Sequence, residues 1–148
     1  MNREEILAVL SASKFGGIDR DALNAIALLV AEVTLQPGAL LFGEGDLGSE
    51  AFFVLDGEVE IVRRTAAGEH VLNVVSRSGF MGELALYGAG VRTATARART
   101  DARLAALTYH QFLEVIRTWP EFATTLLRIQ TSRFAELEQK YLALIRVA

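Results

Sequence analysis

From Val33 to Leu107 the chain is cut into short segments by turn signals at Gln36-Pro37-Gly38, Gly43-Glu44-Gly45-Asp46, Asp56-Gly57, Ala66-Ala67-Gly68 and Arg77-Ser78-Gly79. No other feature constrains the fold as much. The segments between the turns are short for helices. Several alternate apolar and polar residues, as in Glu58-Val59-Glu60-Ile61, Glu69-His70-Val71-Leu72 and the run from Thr93 to Ala98. Strands broken by turns at this spacing predict an antiparallel sandwich or barrel. A hairpin turn is predicted at Thr65–Gly68.

A helical period governs both ends. Asn2-x-x-Glu5 reads as a capping box for a first helix with Ile6, Leu7 and Leu10 on its apolar side, broken at Gly16-Gly17. Asp19 is placed to cap a second helix running from about Arg20 to Ala31. Thr108-x-x-Gln111 reads as another capping box, ahead of Phe112, Leu113 and Ile116. Pro120 suits the first turn of a long last helix ending near Ile145. On that helix Leu127, Phe134 and Tyr141 stand seven apart, as do Ala123, Gln130, Leu137 and Leu144. This is an a/d seam of about three heptads with one polar interruption. The expected organisation is one domain over residues 1–148, with N-terminal helices in 1–31, strands in 32–107 and C-terminal helices in 108–146.

Composition narrows the function classes. The absence of cysteine excludes disulfides and thiolate metal sites. It also fits a reducing compartment, so a cytoplasmic location is expected. Charges interrupt the apolar residues throughout, and no run of ~18 uninterrupted apolar residues occurs. Met1-Asn2-Arg3-Glu4-Glu5 lacks a signal-peptide core, so no membrane partner is expected. A net charge of −3 is not the basic footprint of general nucleic-acid binding. His70 and His110 are isolated. There is no Ser/His/Asp arrangement, no motif of paired acid/base carboxylates and no metal-ligand spacing. No catalytic residue, metal or cofactor is expected, and the chain does not read as an enzyme.

The chemistry concentrates in Gly82-Glu83-Leu84-Ala85-Leu86, followed by Arg92-Thr93-Ala94. An ionised carboxylate only accepts hydrogen bonds, and arginine only donates them. Such a pair suits a ligand offering one hydroxyl and one phosphate. Gly82 permits close backbone approach, and a short helical turn over Leu84 to Tyr87 would point free N–H groups at an anion. Read singly, each feature has a plainer account. Gly-Glu-Leu-Ala-Leu is an ordinary helix start with Glu favoured by the helix dipole, and a lone strand arginine usually faces solvent. Arg97 and Arg99 extend a basic stretch that reads as a solvated strand face.

The surrounding residues join these features into one pattern. Pro37-Gly38, Gly45-Asp46-Leu47-Gly48 and Phe53-Val54-Leu55-Asp56-Gly57-Glu58-Val59 resemble the first half of a cyclic-nucleotide-binding domain. Phe80-Met81-Gly82-Glu83-Leu84-Ala85-Leu86 through Arg92-Thr93-Ala94-Thr95 resembles that family's phosphate-binding cassette. The resemblance is to the sensor domains of catabolite activators and protein kinase A regulatory subunits, and runs from about Phe15 to Ile116. It implies a mainly β fold with flanking α-helices: an eight-stranded jelly-roll-like β-roll (double-stranded β-helix), N-terminal helices and a long C-terminal helix. It also implies a cyclic nucleotide as ligand, with Glu83 accepting from the ribose 2′-OH and Arg92 pairing with the cyclic phosphate. Gly82, Leu84, Ala85, Thr93 and Ala94 would complete the site, Ala94 through its backbone N–H. Val62, Val71 and Leu72 are candidates to flank the base, and Phe134 or Tyr141 to cap it. Each of these five is equally a packing residue.

Two departures stand out within the cassette region. Val91 replaces the proline that the family often has before the cassette arginine, which leaves Arg92 less constrained. Ser78-Gly79 replaces the usual Gly-Asp and alters a turn. Bacterial regulators of the superfamily usually carry a C-terminal helix-turn-helix. The final helix uses nearly all residues after Pro120, so the expected match is to the sensor half alone, without direct DNA binding. The expected function is a sensor for cAMP, with cGMP open and Thr93 compatible with both, that couples binding to movement of the C-terminal helix. One alternative is a dimerisation or docking scaffold with an idle pocket, for which Val91 and the aromatic seam are the motives. Another is a transcription-regulator relative lacking its helix-turn-helix. The seam makes a homodimer the expected assembly, against a lid closing over the base in a monomer or an unidentified protein partner.

Overall fold

Residues 2–87 and 90–147 are described by the structure, a computed structural model, without the side chains of Leu84, Tyr87, Arg146 and Val147. Two helices, α1 (Arg3–Ala12) and α2 (Arg20–Leu29), precede the strands. The strands are β1 (Ala31–Leu35), β2 (Leu40–Phe42), β3 (Glu50–Asp56), β4 (Val59–Thr65), β5 (Gly68–Val75), β6 (Phe80–Met81), β7 (Thr95–Ala98) and β8 (Ala102–Thr108). A 3-10 turn at Glu83–Tyr87 lies between β6 and β7, and α3 (Tyr109–Thr118) and α4 (Glu121–Val147) close the order. One sheet runs β1-β8-β3-β6 and the other β2-β7-β4-β5, with antiparallel pairing throughout. This is the jelly-roll-like β-roll of eight strands with flanking helices that the sequence implies.

Strand β3 shows how the layers assemble. Successive side chains of a strand face opposite sides, and Ala51-Phe52-Phe53-Val54-Leu55 is apolar on both. Ala51, Phe53 and Leu55 enter a core shared with the helices, where Ile6, Ile26, Phe112 and Phe122 are buried. Phe52 and Val54 enter a second core between the sheets, with Val59, Met81, Ala96 and Leu104. Strand β8 divides in the same way: Ala105 and Leu107 join the helical core, and Leu104 and Ala106 the inter-sheet core. Strand β5 is mostly exposed, so the apolar/polar alternation read over Glu69 to Leu72 does not become a buried face there. Its hairpin with β4 closes with Thr65 opposite Gly68, as expected.

The caps follow the sequence with one difference. Thr108 and Gln111 form a reciprocal capping box for α3, and Asp19 accepts from the Asp21 N–H at 2.7 Å. At α1 Asn2 accepts from the Glu4 and Glu5 N–H groups. Glu5, however, does not reach back to close the box. Its carboxylate pairs with Arg103 of β8 and approaches Arg77 at 3.9 Å, so the expected local cap becomes a tie between α1 and the sheet. Helix α1 ends at Ala12, before the expected Gly16-Gly17 break. The Ser13 hydroxyl donates to the Leu10 carbonyl at 2.6 Å and stops the helix earlier.

Helix α4 has two halves. Phe122, Leu126 and Ile129, at helical spacing, are buried in the helical core. Phe15 anchors them, its ring centroid 4.7 Å from Phe122 and 5.0 Å from Phe80. Beyond that, Phe134, Leu137, Tyr141 and Leu144 are more than 60% exposed. From Phe134 onward the heptad seam is therefore unpartnered among the described residues.

The Arg103 hydrogen bond holds the Glu5 carboxyl below its ordinary value of 4.5; desolvation opposes this, and the charges of Arg103 and Arg77 reinforce it. A carboxyl depressed on folding stabilises fully above its unfolded value, and the contribution fades as pH falls through the folded value. Glu5→Gln should therefore lower the urea midpoint near neutrality. Between about pH 6 and pH 3 the midpoint should fall less in the variant than in wild type. Parallel curves for the two proteins would mean that the tie contributes nothing to stability.

Candidate functional site

A cavity of about 510 Å3 opens between the β-roll and α4, within the range of small-molecule sites. Gly82, Glu83, Ala85, Arg92, Thr93 and Ala94, six of the seven cassette residues expected at a site, line it together. The backbone of the seventh, Leu84, lies in the 3-10 turn; its side chain is outside the described residues. The Ala85 N–H donates to the Gly82 carbonyl at 3.1 Å. That donor is thus spent within the turn, and the expected row of free N–H groups is shorter by one.

Arg92 is the buried cation of this site, 8% exposed. Nη2 donates to the Glu50 carbonyl at 2.8 Å, while Nε is buried without a hydrogen-bond partner. Cζ lies 4.2 Å from the Phe42 ring centroid. Burial pulls the guanidinium below its ordinary pKa, and the nearby Glu50 and Asp46 charges oppose that shift. Arginine remains charged under such shifts, and a buried polar group left unmatched is costly. A cavity-lining residue therefore holds a positive charge and a buried, unspent donor, an arrangement that suits an anion.

Backbone pairing fixes Arg92 where a proline was missed. The Arg92 N–H donates to the Asp46 carbonyl at 2.8 Å, and the Gly45 N–H donates to the Arg92 carbonyl at 2.8 Å. Next to these, Leu47 and Val91 form an isolated antiparallel bridge. The two sequence blocks thus hold each other beside Val91. Two glycines complete the packing. Gly48 has no room for a Cβ, which would overlap Nε, Cζ and Nη2 of Arg92. Gly82, at φ +74°, leaves a Cβ position only 2.8 Å from Nη1.

Glu83 also lines the cavity, but its carboxylate already has partners on α4. Oε1 accepts from Gln130 Nε2 at 2.9 Å and from Arg133 Nη1. The sequence marked Gln130 only as the polar interruption of the seam and Arg133 not at all, because they lie 47 and 50 residues from Glu83. Arg133 and Glu136 of α4, Lys14, Phe42, Ile61 and Asn73 also line the cavity unforeseen.

The expected base-flanking residues lie elsewhere. Val62 is buried beside a separate groove with Leu40, Thr95 and Arg97, and Val71 and Leu72 are exposed. The register shifts after Ile61, which faces Asn73, so that Val62 pairs Val71 and Leu72 is the extra residue. Ile61 and Asn73, not Val62, Val71 or Leu72, take the cavity positions. Phe134 and Tyr141 are exposed and line no part of the cavity, so neither caps it here. Arg97 is paired with Glu69 at 2.8 Å and Glu60 at 3.6 Å, which leaves little for a polyanion. Among the described residues no three His, Cys, Asp or Glu side chains cluster as a metal site. None of the described helices is long and apolar enough to cross a membrane.

Comparison with known proteins bears on this geometry. Residues 32–118, more than half of the chain, match the family profile described as cyclic nucleotide-binding domain. The CRP-like cAMP-activated global transcriptional regulator of Mycobacterium tuberculosis is 30% identical over 131 residues. That match covers 88% of this chain and 58% of the regulator, so the chain spans little more than half of its length. The N-terminal domain of a Streptomyces coelicolor transcriptional regulator superposes with a TM-score of 0.76 at 35% identity, covering 88% of this chain and 93% of that one. The regulatory domain of Toxoplasma gondii PKA with cAMP gives 0.71 at 28% identity, covering 76% and 44%. These relatives are regulatory proteins.

Gly48→Ala tests the packing without any ligand. The added methyl should expel the guanidinium from its slot while the two cores stay intact. Arg92 should then react faster with an arginine-selective dicarbonyl reagent, mapped by mass spectrometry, with the circular dichroism spectrum unchanged. Protection equal to wild type would show that the slot tolerates a side chain.

Proposed function

The chain belongs to the cyclic nucleotide-binding domain family, and we propose that its cavity binds a cyclic nucleotide, cAMP first, as a sensor and not as a catalyst. The observation that carries this reading is Arg92: a cavity-lining residue whose guanidinium is buried with Nε unpartnered. A cyclic phosphate would satisfy that donor through charge-assisted hydrogen bonds, which are among the stronger polar contacts. Glu83 supplies an acceptor for the ribose 2′-OH on the same wall. The choice of cAMP over cGMP follows the relatives described as cAMP-activated and cAMP-bound.

Coupling to α4 runs through Glu83. Its carboxylate is held by Gln130 and Arg133, so a ligand hydroxyl that joins Glu83 either shares that carboxylate with α4 or displaces the donors of α4 from it. A ligand shifts a conformational equilibrium only by its differential contacts with the two states, and this carboxylate supplies one such contact.

Nucleotide should therefore raise the melting temperature. At a hundred times its dissociation constant a ligand adds about 2.7 kcal/mol, or roughly 5–11 °C for a domain of this size. Arg92→Ala should abolish the shift. Glu83→Ala should remove the preference for cAMP over its 2′-deoxy analogue. No shift with millimolar cAMP or cGMP on ligand-free protein would leave the scaffold reading in its place.

The exposed seam of α4 supports a homodimer as the state in which the sensor works. Leu127, Phe134, Leu137, Tyr141 and Leu144 are all exposed, a stripe at heptad spacing of the kind that pairs with a second helix. Sedimentation at tens of micromolar should show a dimer. Leu137→Glu should dissociate it and leave the β-roll folded, and a wild-type monomer with and without nucleotide would end the idea.

A further inference from the structure

Phe42 is the last residue of β2 and lines the cavity beside Arg92. Its ring centroid is 4.2 Å from Arg92 Cζ, and that of Phe52 is 5.8 Å away. The two rings stack on each other at 6.1 Å with an interplanar angle of 30°. Among the described residues no carboxylate oxygen comes within 4.0 Å of the Arg92 nitrogens. The recorded side-chain hydrogen bond of Arg92 is the one to Glu50. A buried charge is thus held by one carbonyl and an aromatic face. A guanidinium is planar and weakly hydrated and stacks well on such faces, and the ring quadrupole attracts a cation within about 6 Å.

We infer that Phe42 is a positioning residue for Arg92, orienting the guanidinium plane by cation–π stacking so that its unpartnered Nε edge stays against Gly48 on the cavity wall. A proline before the arginine would stiffen only the backbone, and here the backbone is already paired to the Gly45–Gly48 loop. The side chain still has its own torsions to fix. Phe42 limits them from one side, and Gly48 and Gly82 leave a slot that only the flat guanidinium fills. An aliphatic residue at position 42 would fill similar volume but present no negative face to the charge.

The role in ligand binding rests on the cyclic-nucleotide reading; the stack itself does not. Two measurements keep them apart. The first is a urea-unfolding cycle on ligand-free protein with Phe42→Leu, Arg92→Gln and the double variant. Stacking requires that Phe42→Leu destabilise the wild type more than it destabilises the Arg92→Gln protein. Equal costs in both backgrounds would make Phe42 an ordinary core residue and overturn the proposal. The second is calorimetric titration with cAMP. Phe42→Leu should weaken binding about 2- to 30-fold, the range of a cation–π contact, and Phe42→Tyr should restore it. Wild-type affinity in the leucine variant would also overturn the positioning role. If wild type binds no cyclic nucleotide, the proposed function fails, and the unfolding cycle still decides the stack. Phe42→Met serves in both measurements if the leucine variant does not fold.

Discussion

The sheet β1-β8-β3-β6 is buried on both faces along its centre, and the rest of the molecule is arranged by that constraint. Its two central strands, β3 and β8, feed one core against the helices and another against the second sheet. The cassette leaves this sheet from its edge. Phe80 and Met81 of β6 pair with Phe53 and Phe52 and deliver Gly82 and Glu83 to the cavity. Phe80 itself belongs to both places: it packs on Phe15 and Phe53 in the helical core and lines the cavity. The cavity wall and the seat of α4 are therefore continuous. On the proposed reading, a change at one would reach the other through packed side chains, which do not deform smoothly.

Within that frame the site is built around a charge that the fold could have avoided. Burying an arginine with an unpaired nitrogen costs stability. The cation–π contacts, the Glu50 carbonyl and the Glu50 and Asp46 charges offset part of that cost. The backbone bonds between Gly45, Asp46 and Arg92 hold the arrangement without a proline. Ser78 shows a smaller instance. It adopts φ +70°, unusual for a non-glycine residue, in the turn where the family pattern has glycine. Its N–H donates to the Val54 carbonyl at 2.9 Å, which secures the turn against β3.

Much of this was legible because it depends on local signals. Turn residues, the Thr108/Gln111 box and the doubly apolar Ala51 to Leu55 each act within a few positions. Glu83 and Arg92 were legible as a pair because both lie in one contiguous motif. The base-side residues were not. A single register shift after Ile61 moves every later side chain of the hairpin relative to its partner. Nothing in the local pattern marks that shift, so Val62, Val71 and Leu72 stood in for Ile61 and Asn73. The partners of Glu83 were hidden for another reason. Gln130 stood in the heptad seam only as its polar interruption, and Arg133 lies outside the seam. The chain uses the face carrying Gln130, Arg133 and Glu136 toward the cavity and leaves Phe134 and Tyr141 outside it.

That division of α4 bears on how a sensor of this form could work. One face of the helix holds Glu83, and the exposed seam is free for a second chain. On the proposed reading, sugar recognition and helix position draw on the same carboxylate. Linkage then makes the two reciprocal: the factor by which a ligand alters the helix equilibrium is the factor by which the helix alters ligand affinity. A partner gripping the seam could raise or lower affinity without touching the cavity, provided it favours one helix position. The sign depends on whether the 2′-OH replaces Arg133 and Gln130 on Glu83 or shares the carboxylate with them. Both helix donors converge on Oε1, and a carboxylate has lone pairs for several donors. Sharing needs no bond to break, so on the proposed reading a hydroxyl that shares Glu83 would tighten α4 against the cassette, whereas one that displaces both donors would release it.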